Sequence, residues 1–225
     1  GRPMLAGEQG LRLSLAGAQQ KLPIVLLNGR IALPAPGRPS THILKPPIAW
    51  LPGTTENEAF AMRLAAALEL RVAAVEPRRT ANRSYLIVER YDREIGADGS
   101  IRRLHQEDFC QALGIPPEQK YAAEGGPIFR DCFDLVRSAC TSPAPALLRL
   151  LDAAIFNVLV GNADAHGKNF SLLYRAGQID FAPLYDLLCT AAYPEVNNKL
   201  AMKVARRATL EEFKEDTWEE FAREV

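Results

Sequence analysis

The sequence predicts an α+β protein of two lobes, a small sheet-rich N-lobe over residues 1–97 and a larger helical C-lobe over residues 98–225. Three observations carry this. Short β-type runs crowd the first hundred residues around a single helical stretch. Longer helical runs, divided by proline and glycine, fill the remainder. Between them lies the polar segment "DREIGADGS", which places the lobe boundary near residues 92–104. Two lobes leave a cleft between them, and clefts of this kind are where ligands bind.

The elements follow in order. "LPIVLL" and "RIAL" read as strands, joined by Asn28-Gly29, a pair suited to the positive φ values of a tight hairpin. Pro34, Pro36, Gly37 and Pro39 mark a loop, and "HILK" is a third strand stopped by Pro46-Pro47. Residues 56–69 read as a helix, with Phe60, Leu64 and Leu68 repeating as an apolar stripe at i, i+4, i+8. Thr55 with Glu58 fits a capping box at its start. "RVAAVEPRRT" and "SYLIVERYDR" return to strand character, which makes five strands in all. Beyond residue 104, "QEDFCQALGI", "FRDCFDLVRSAC" and "PALLRLLDAAIFNVLVG" read as helices. "FSLLY" and "IDFAPLYDLL" form a hairpin among them, and "TLEEFKEDTWEEFAREV" reads as a helix pair or one kinked helix.

Composition narrows the class. Apolar residues make up 48% and charged residues 24%, as in ordinary globular proteins. The formal net charge is zero, which argues against nonspecific binding to nucleic acid or anionic membranes as the main activity. No apolar run reaches the roughly 18 residues that a membrane span needs. The first ten residues, "GRPMLAGEQG", carry no signal-peptide pattern, so the expected location is cytoplasmic. Cys110, Cys132, Cys140 and Cys189 form no C-x-x-C pair and sit in apolar contexts, so buried free thiols are expected.

Four stretches carry candidate chemistry. In "SLAGAQQK", Ser14 to Lys21, the small residues Ala16, Gly17 and Ala18 let backbone N–H groups approach a phosphate closely. Lys45 ends the strand "HILK", where an ammonium can hold phosphates as a point charge. The helix that follows offers Glu56 and Glu58, although Glu58 is equally read as part of the capping box. In "GNADAHGKNF", Asp164 and Asn169 are five apart, the Asp-to-Asn spacing of the kinase catalytic loop. An Asp so placed accepts a hydroxyl proton, and an Asn one loop-turn on ligates a metal. His166 and Lys168 would add positive charge where phosphate charge shifts. Finally, Asp186 in "PLYDLL" follows a β-type run, where a carboxylate can hold Mg²⁺.

Taken together, these stretches stand in protein-kinase order. The chain resembles HipA-type serine/threonine kinases, the toxin halves of bacterial toxin–antitoxin pairs. The matching stretches are "SLAGAQQK", "THILKPP", "ENEAFAMRLAAALEL", "YLIVERYDR", "LHQEDFCQALG", "KYAAEGGP", "GNADAHGKNFS", "PLYDLL" and "KLAMKV". The resemblance implies a bilobal protein-kinase-like fold, ATP and Mg²⁺ as cofactors, and phosphorylation of a protein serine or threonine. It also implies a DNA-binding antitoxin as partner, with nucleic acid reached only through it. A translation-linked target such as an aminoacyl-tRNA synthetase follows in the same way.

By position, Asp164 looks like the catalytic base, and Asn169 and Asp186 look like the Mg²⁺ ligands. Lys45 looks like the phosphate-holding lysine, and Ala16, Gly17, Ala18, Gln19, Gln20 and Lys21 like the loop over the phosphates. Glu89, Arg90 and Tyr91 look like the hinge that meets adenine through backbone groups. His166 and Tyr185 look like further nucleotide contacts. Ser14 sits where the family carries its self-phosphorylated serine. The chain departs from the family pattern at its ends. Members usually carry an extra N-terminal subdomain, where this chain has thirteen residues ahead of Ser14, and a longer helical C-terminal region.

Two rival readings remain at this point. One is a metal-dependent phosphohydrolase built on Asp164 and His166, against which only three histidines stand in the chain. The other is a nucleotide-binding module without catalysis, against which the intact Lys45, Asp164 and Asp186 count.

A phosphate on Ser14 would place about −1.5 to −2 charge beside a loop built to hold anions. Incubation with Mg-ATP is expected to label Ser14 in the wild type and not in Asp164→Asn, as read by mass spectrometry. Ser14-phosphorylated protein is expected to bind ATP more weakly in calorimetry, and equal affinity would contradict the switch.

Overall fold

The computed structural model describes residues 19–80 and 83–225. Its first strands are β1 (Leu22–Leu27) and β2 (Arg30–Ala32), paired with Leu27 opposite Arg30. Asn28 and Gly29 take φ of +50° and +76°, the left-handed pair that a two-residue turn requires. The strands β3 (His42–Lys45), β4 (Val75–Thr80) and β5 (Arg83–Glu89) complete an antiparallel sheet in the order β2-β1-β3-β5-β4. The expected five-stranded sheet is therefore present.

Helix α1 (Thr54–Ala67) packs on β4 and β5. Its buried face is not the stripe that the sequence suggests. Phe60 and Leu68 are 65% and 58% exposed, while Thr55, Glu58, Ala59, Met62 and Ala65 are buried. Small side chains let the helix lie close to the sheet, and Glu58 must face Lys45. Together they turn the large apolar residues outward. The capping box is also replaced. Gly53, at φ +76°, occupies the cap without a side-chain bond, and Glu58 is committed to Lys45.

The polar segment after β5 folds as a hairpin of β6 (Arg93–Ile95) and β7 (Ile101–Arg103). Residues 106–115, expected to be helical, begin instead as strand β8 (His105–Asp108). Gln106, Glu107 and Asp108 pair with Leu173, Leu172 and Ser171 of β9 (Ser171–Arg175), and this tertiary ladder overrides local helical character. Only Phe109–Ala112 then forms a short helix, α2, whose capping box joins Asp108 and Gln111. The expected hairpin is β9 with β10 (Gln178–Phe181), and β8 extends it to three strands.

Helices α3 (Phe129–Ala139) and α4 (Pro143–Leu159) pack on one another. The C-terminal tail is not a helix pair. It makes one short 3₁₀ turn at Leu210–Glu212 and then helix α5 (Thr217–Glu224). The Glu212 side chain accepts from the Ala208 amide, and the Lys214 amide donates to Thr217 Oγ1, which restarts the chain as α5. Phe109, Phe129, Phe133, Phe170, Phe181 and Phe221 form the centre of the core, with ring centroids 5.3–6.5 Å apart. Cys110, Cys132 and Cys140 are free and buried, and Cys189 is free and half-buried. Among the described residues no helix is long and apolar enough to cross a membrane.

Candidate active site

Helix α4 ends in a left-handed turn. The Gly161 amide donates to Val158 O and the Asn162 amide to Asn157 O, the pair of bonds that closes a Schellman cap. Gly161 has φ +74°, and a Cβ there would sit 3.1 Å from Ala191 Cβ. Glycine is thus required both by conformation and by space. The turn leads into Asn162–Asn169, in which Ala163 and Ala165 stay packed in the core and Asp164 between them is half-buried. Asn162 is tied to Asn157 Oδ1 at 2.7 Å, and its own Oδ1 accepts the Asp164 amide at 3.1 Å. Thr190 Oγ1 accepts the Ala163 amide at 2.8 Å and donates to Gly161 O at 3.0 Å. Asn169 Oδ1 accepts the His166 amide, and the next residue, Phe170, is anchored in the aromatic core. The polar loop therefore has buried support at both ends.

Opposite it stands Lys45, 3% exposed at the end of β3. Its ammonium donates to Glu58 Oε1 at 2.5 Å and also to Asp186 Oδ1. Asp186 Oδ2 accepts from Lys21 Nζ at 2.9 Å. Asp186 lies at φ +57°, a left-handed conformation that Asp tolerates better than most residues. Burial disfavours the Lys45 charge, but Asp186 and Glu58 outweigh it and hold the ammonium well above its usual range. Burial likewise opposes ionisation of Asp186, and Lys45 and then Lys21 overcome it, leaving the carboxyl far below the usual range. Glu58 is raised by burial, with Lys45 pulling the other way.

Two adjoining cavities share Lys21 and Asp186. The smaller is lined by Gln19, Lys21, Glu58, Asp164, Asn169 and Asp186. The larger, about 180 Å³, runs from Lys45 and Asp186 to Glu89, Arg90 and Tyr91, with Tyr185 in its wall. The Tyr91 and Tyr185 rings stack 5.9 Å apart. The amides of Glu89 and Arg90 donate to Ala74 O and Thr41 O within the fold. A two-stranded link joins the lobes just before Asp186, where Leu184 exchanges bonds with Arg71 and Ala73.

The sequence-predicted residues mostly converge here. Gln19 donates to Pro46 O, Gln20 is exposed, and Ser14, Ala16, Gly17 and Ala18 lie outside the described residues. His166 departs from expectation. It is 2% exposed, and its ring nitrogens have no partner among the described residues. Burial first, then Lys120, lowers its pKa to about 3, so it is neutral near pH 7 and does not add the expected positive charge. Lys168 is paired with Asp108 at 2.5 Å. Sequence reasoning assigned no role to Tyr121, Asn57, Gln106 or Asp108. Asn57 brackets Cys189 through both backbone groups, and Gln106 and Asp108 line the larger cavity. Each had one signal, its place in a matching stretch: Asn57 in "ENEAFAMRLAAALEL", Gln106 and Asp108 in "LHQEDFCQALG", and Tyr121 in "KYAAEGGP".

The family described as HipA-like C-terminal domain matches over residues 13–225. The chain belongs to this family. Among relatives of the HipA-like domain, the Sinorhizobium fredii protein Y4mE is 63% identical over 224 residues, covering 100% of this chain and 53% of that protein. The serine/threonine-protein kinase toxin HipA of Shewanella oneidensis is 34% identical over 214 residues, 90% of this chain and 49% of the toxin. Shewanella oneidensis MR-1 HipA, solved with HipB and operator DNA, superposes with TM-score 0.88 at 32% identity, over 98% of this chain and 54% of that one. The Helicobacter pylori proinflammatory kinase CtkA superposes with TM-score 0.53 at 15% identity, over 78% of this chain and 59% of that one, and shows the fold alone. The HipA-like domain thus has the expected kinase-like fold, and it spans about half the length of the curated relatives above.

Lys45→Met leaves two carboxylates without their shared cation. Removing one partner of a buried pair costs about 3–5 kcal/mol, whereas an exposed pair is worth about 0–1 kcal/mol. Lys45→Met is therefore expected to lower stability by that larger amount in urea unfolding, and Lys21→Met by the smaller. The Lys45→Met loss should be greater at neutral than at mildly acidic pH. A carboxyl whose folded pKa is raised loses stability as pH rises, because it must then ionise without a cation.

Proposed function

We propose that this domain is a serine/threonine protein kinase that uses ATP and Mg²⁺. The observation that carries the reading is the ammonium of Lys45 paired with Glu58 and Asp186, two carboxylates that line one cavity with Asp164 and Asn169. The donor set fits the metal. Asp186 offers a carboxylate and Asn169 an amide oxygen, and Mg²⁺ takes one or two such ligands plus phosphate oxygens and water. Among the described residues no group of three or more His, Cys, Asp or Glu side chains could hold a metal without such help. Mg²⁺ bound there would neutralise charge on the phosphates.

The chain's own residues supply the rest. Asp164 accepts the proton of the attacking hydroxyl as that oxygen bonds to phosphorus and ADP leaves. Lys45 holds phosphate oxygens, and its tie to Glu58 keeps the ammonium at the cleft floor. The larger cavity takes the base and sugar against Tyr91 and Tyr185. The rest of the proposal rests on family membership. The domain acts as the toxin of a pair whose DNA-binding antitoxin is its partner, as HipB accompanies the Shewanella oneidensis HipA. Its target is a translation-linked protein such as an aminoacyl-tRNA synthetase, in the cytoplasm, and Ser14 is its own inhibitory phosphorylation site.

Asp164→Asn is expected to keep ATP binding and lose about 10²–10⁴-fold in transfer of label from [γ-³²P]ATP to protein in a bacterial lysate. Near-normal transfer by this variant would remove Asp164 from the role of base. Asp186→Ala is expected to weaken nucleotide binding in the presence of Mg²⁺ and much less in its absence, as read by calorimetry. Equal affinity for Mg-ATP would count against a metal-holding Asp186.

A further inference from the structure

The stretch "KYAAEGGP" places a buried tyrosine against the proposed base. Tyr121 is 3% exposed, and its hydroxyl donates to Asp164 Oδ1 at 2.8 Å. The surrounding chain is built to hold it there. The amides of Glu124 and Gly126 both donate to Tyr121 O at 2.9 Å, closing a tight turn. Gly126 is crowded within it, where a Cβ would lie 2.8 Å from the Tyr121 carbonyl carbon. The next residue, Ala122, donates to Ala201 O, and the Ala201 amide donates to Ala163 O. The ring meets His166 edge-on at 5.3 Å, and Lys120 Nζ lies 5.0 Å from its centroid. Backbone and ring are thus fixed relative to the loop that carries Asp164.

A carboxylate needs such a partner. The terminal torsion of Asp is broad and roughly two-fold, so hydrogen bonds decide the plane of the group. A base must also meet its proton at hydrogen-bond distance, and small misplacements cost large factors in rate. We propose that Tyr121 is a positioning residue, whose hydroxyl fixes the Asp164 carboxylate for proton acceptance from the substrate. This rests on the reading of Asp164 as the base.

The test is turnover of Mg-[γ-³²P]ATP, counting all label that leaves ATP for protein or water. The four proteins are the wild type, Tyr121→Phe, Asp164→Asn and the double variant. Tyr121→Phe keeps the ring and removes the hydroxyl. It is expected to lower kcat about 10- to 100-fold with KM for ATP unchanged. In the Asp164→Asn background it is expected to change turnover less than about two-fold, since coupled residues are not additive. Equal losses in both backgrounds, or a rise in KM alone, would make the tyrosine merely structural and overturn the proposal. An Asp164→Asn loss with no Tyr121→Phe loss overturns the proposal and leaves the base standing. Full activity of Asp164→Asn, or no turnover by the wild type, removes the base and the proposal with it. Should the phenylalanine variant fail to fold, 4-aminophenylalanine at position 121 retains a donor and 4-methylphenylalanine does not. Turnover by the first and not the second is expected, and equal turnover would overturn the idea.

Discussion

The cleft depends on one ammonium held between two carboxylates. Lys45 comes from the sheet, Glu58 from α1 and Asp186 from the segment after β10, and the ammonium ties the three together. Buried ion pairs seldom repay their desolvation, so this one is a poor source of stability and a strong constraint on geometry. If α1 moved away, Glu58 would leave Lys45 charged in a dry site. If Asp186 turned aside, the same ammonium would lose its other partner. Asn57, one residue before Glu58, reinforces the arrangement by bracketing Cys189, three residues after Asp186. Helix, sheet and cleft therefore adopt one mutual placement, and the loops around them inherit it.

The second constraint is that a polar loop must be rigid next to an apolar core. Each buried polar group along it is assigned a partner. Asn157 bonds Ala153 O, Asn162 bonds Asn157, and Thr190 serves both Gly161 and Ala163. A half-satisfied network would be worse than none, because unpaired polar groups in low dielectric cost the most. His166 is the exception, buried with its ring nitrogens unpartnered among the described residues and kept neutral by that burial. Its ring packs on Tyr121 as an aromatic surface. Around Asp164 the neutral Tyr121 and His166 are joined by the cation of Lys120, which lies over the Tyr121 ring, while Lys45, Lys21 and Asp186 form a separate charged cluster.

The sequence alone determined the five strands of the first sheet, the Asn28-Gly29 turn, the β9–β10 hairpin and the polar loop after α4. These follow from short-range rules. Asn28-Gly29 admits positive φ, Pro46-Pro47 stops a strand, and Gly161 ends a helix, whatever the remainder of the chain does. The identities of Lys45, Asp164, Asn169 and Asp186 were likewise legible, because their order and spacing are properties of the chain. Tertiary structure decided the rest. The inward face of α1 was misread because periodicity finds an apolar stripe but not the side on which an ion pair waits. Residues 106–108 became a strand because β9 offered a ladder more than sixty residues away. The charge state of His166 was set by burial, and the contact of Tyr121 with Asp164 spans forty-three residues of chain. Pairing, burial and charge are properties of neighbours in space, and only the fold brings those neighbours together.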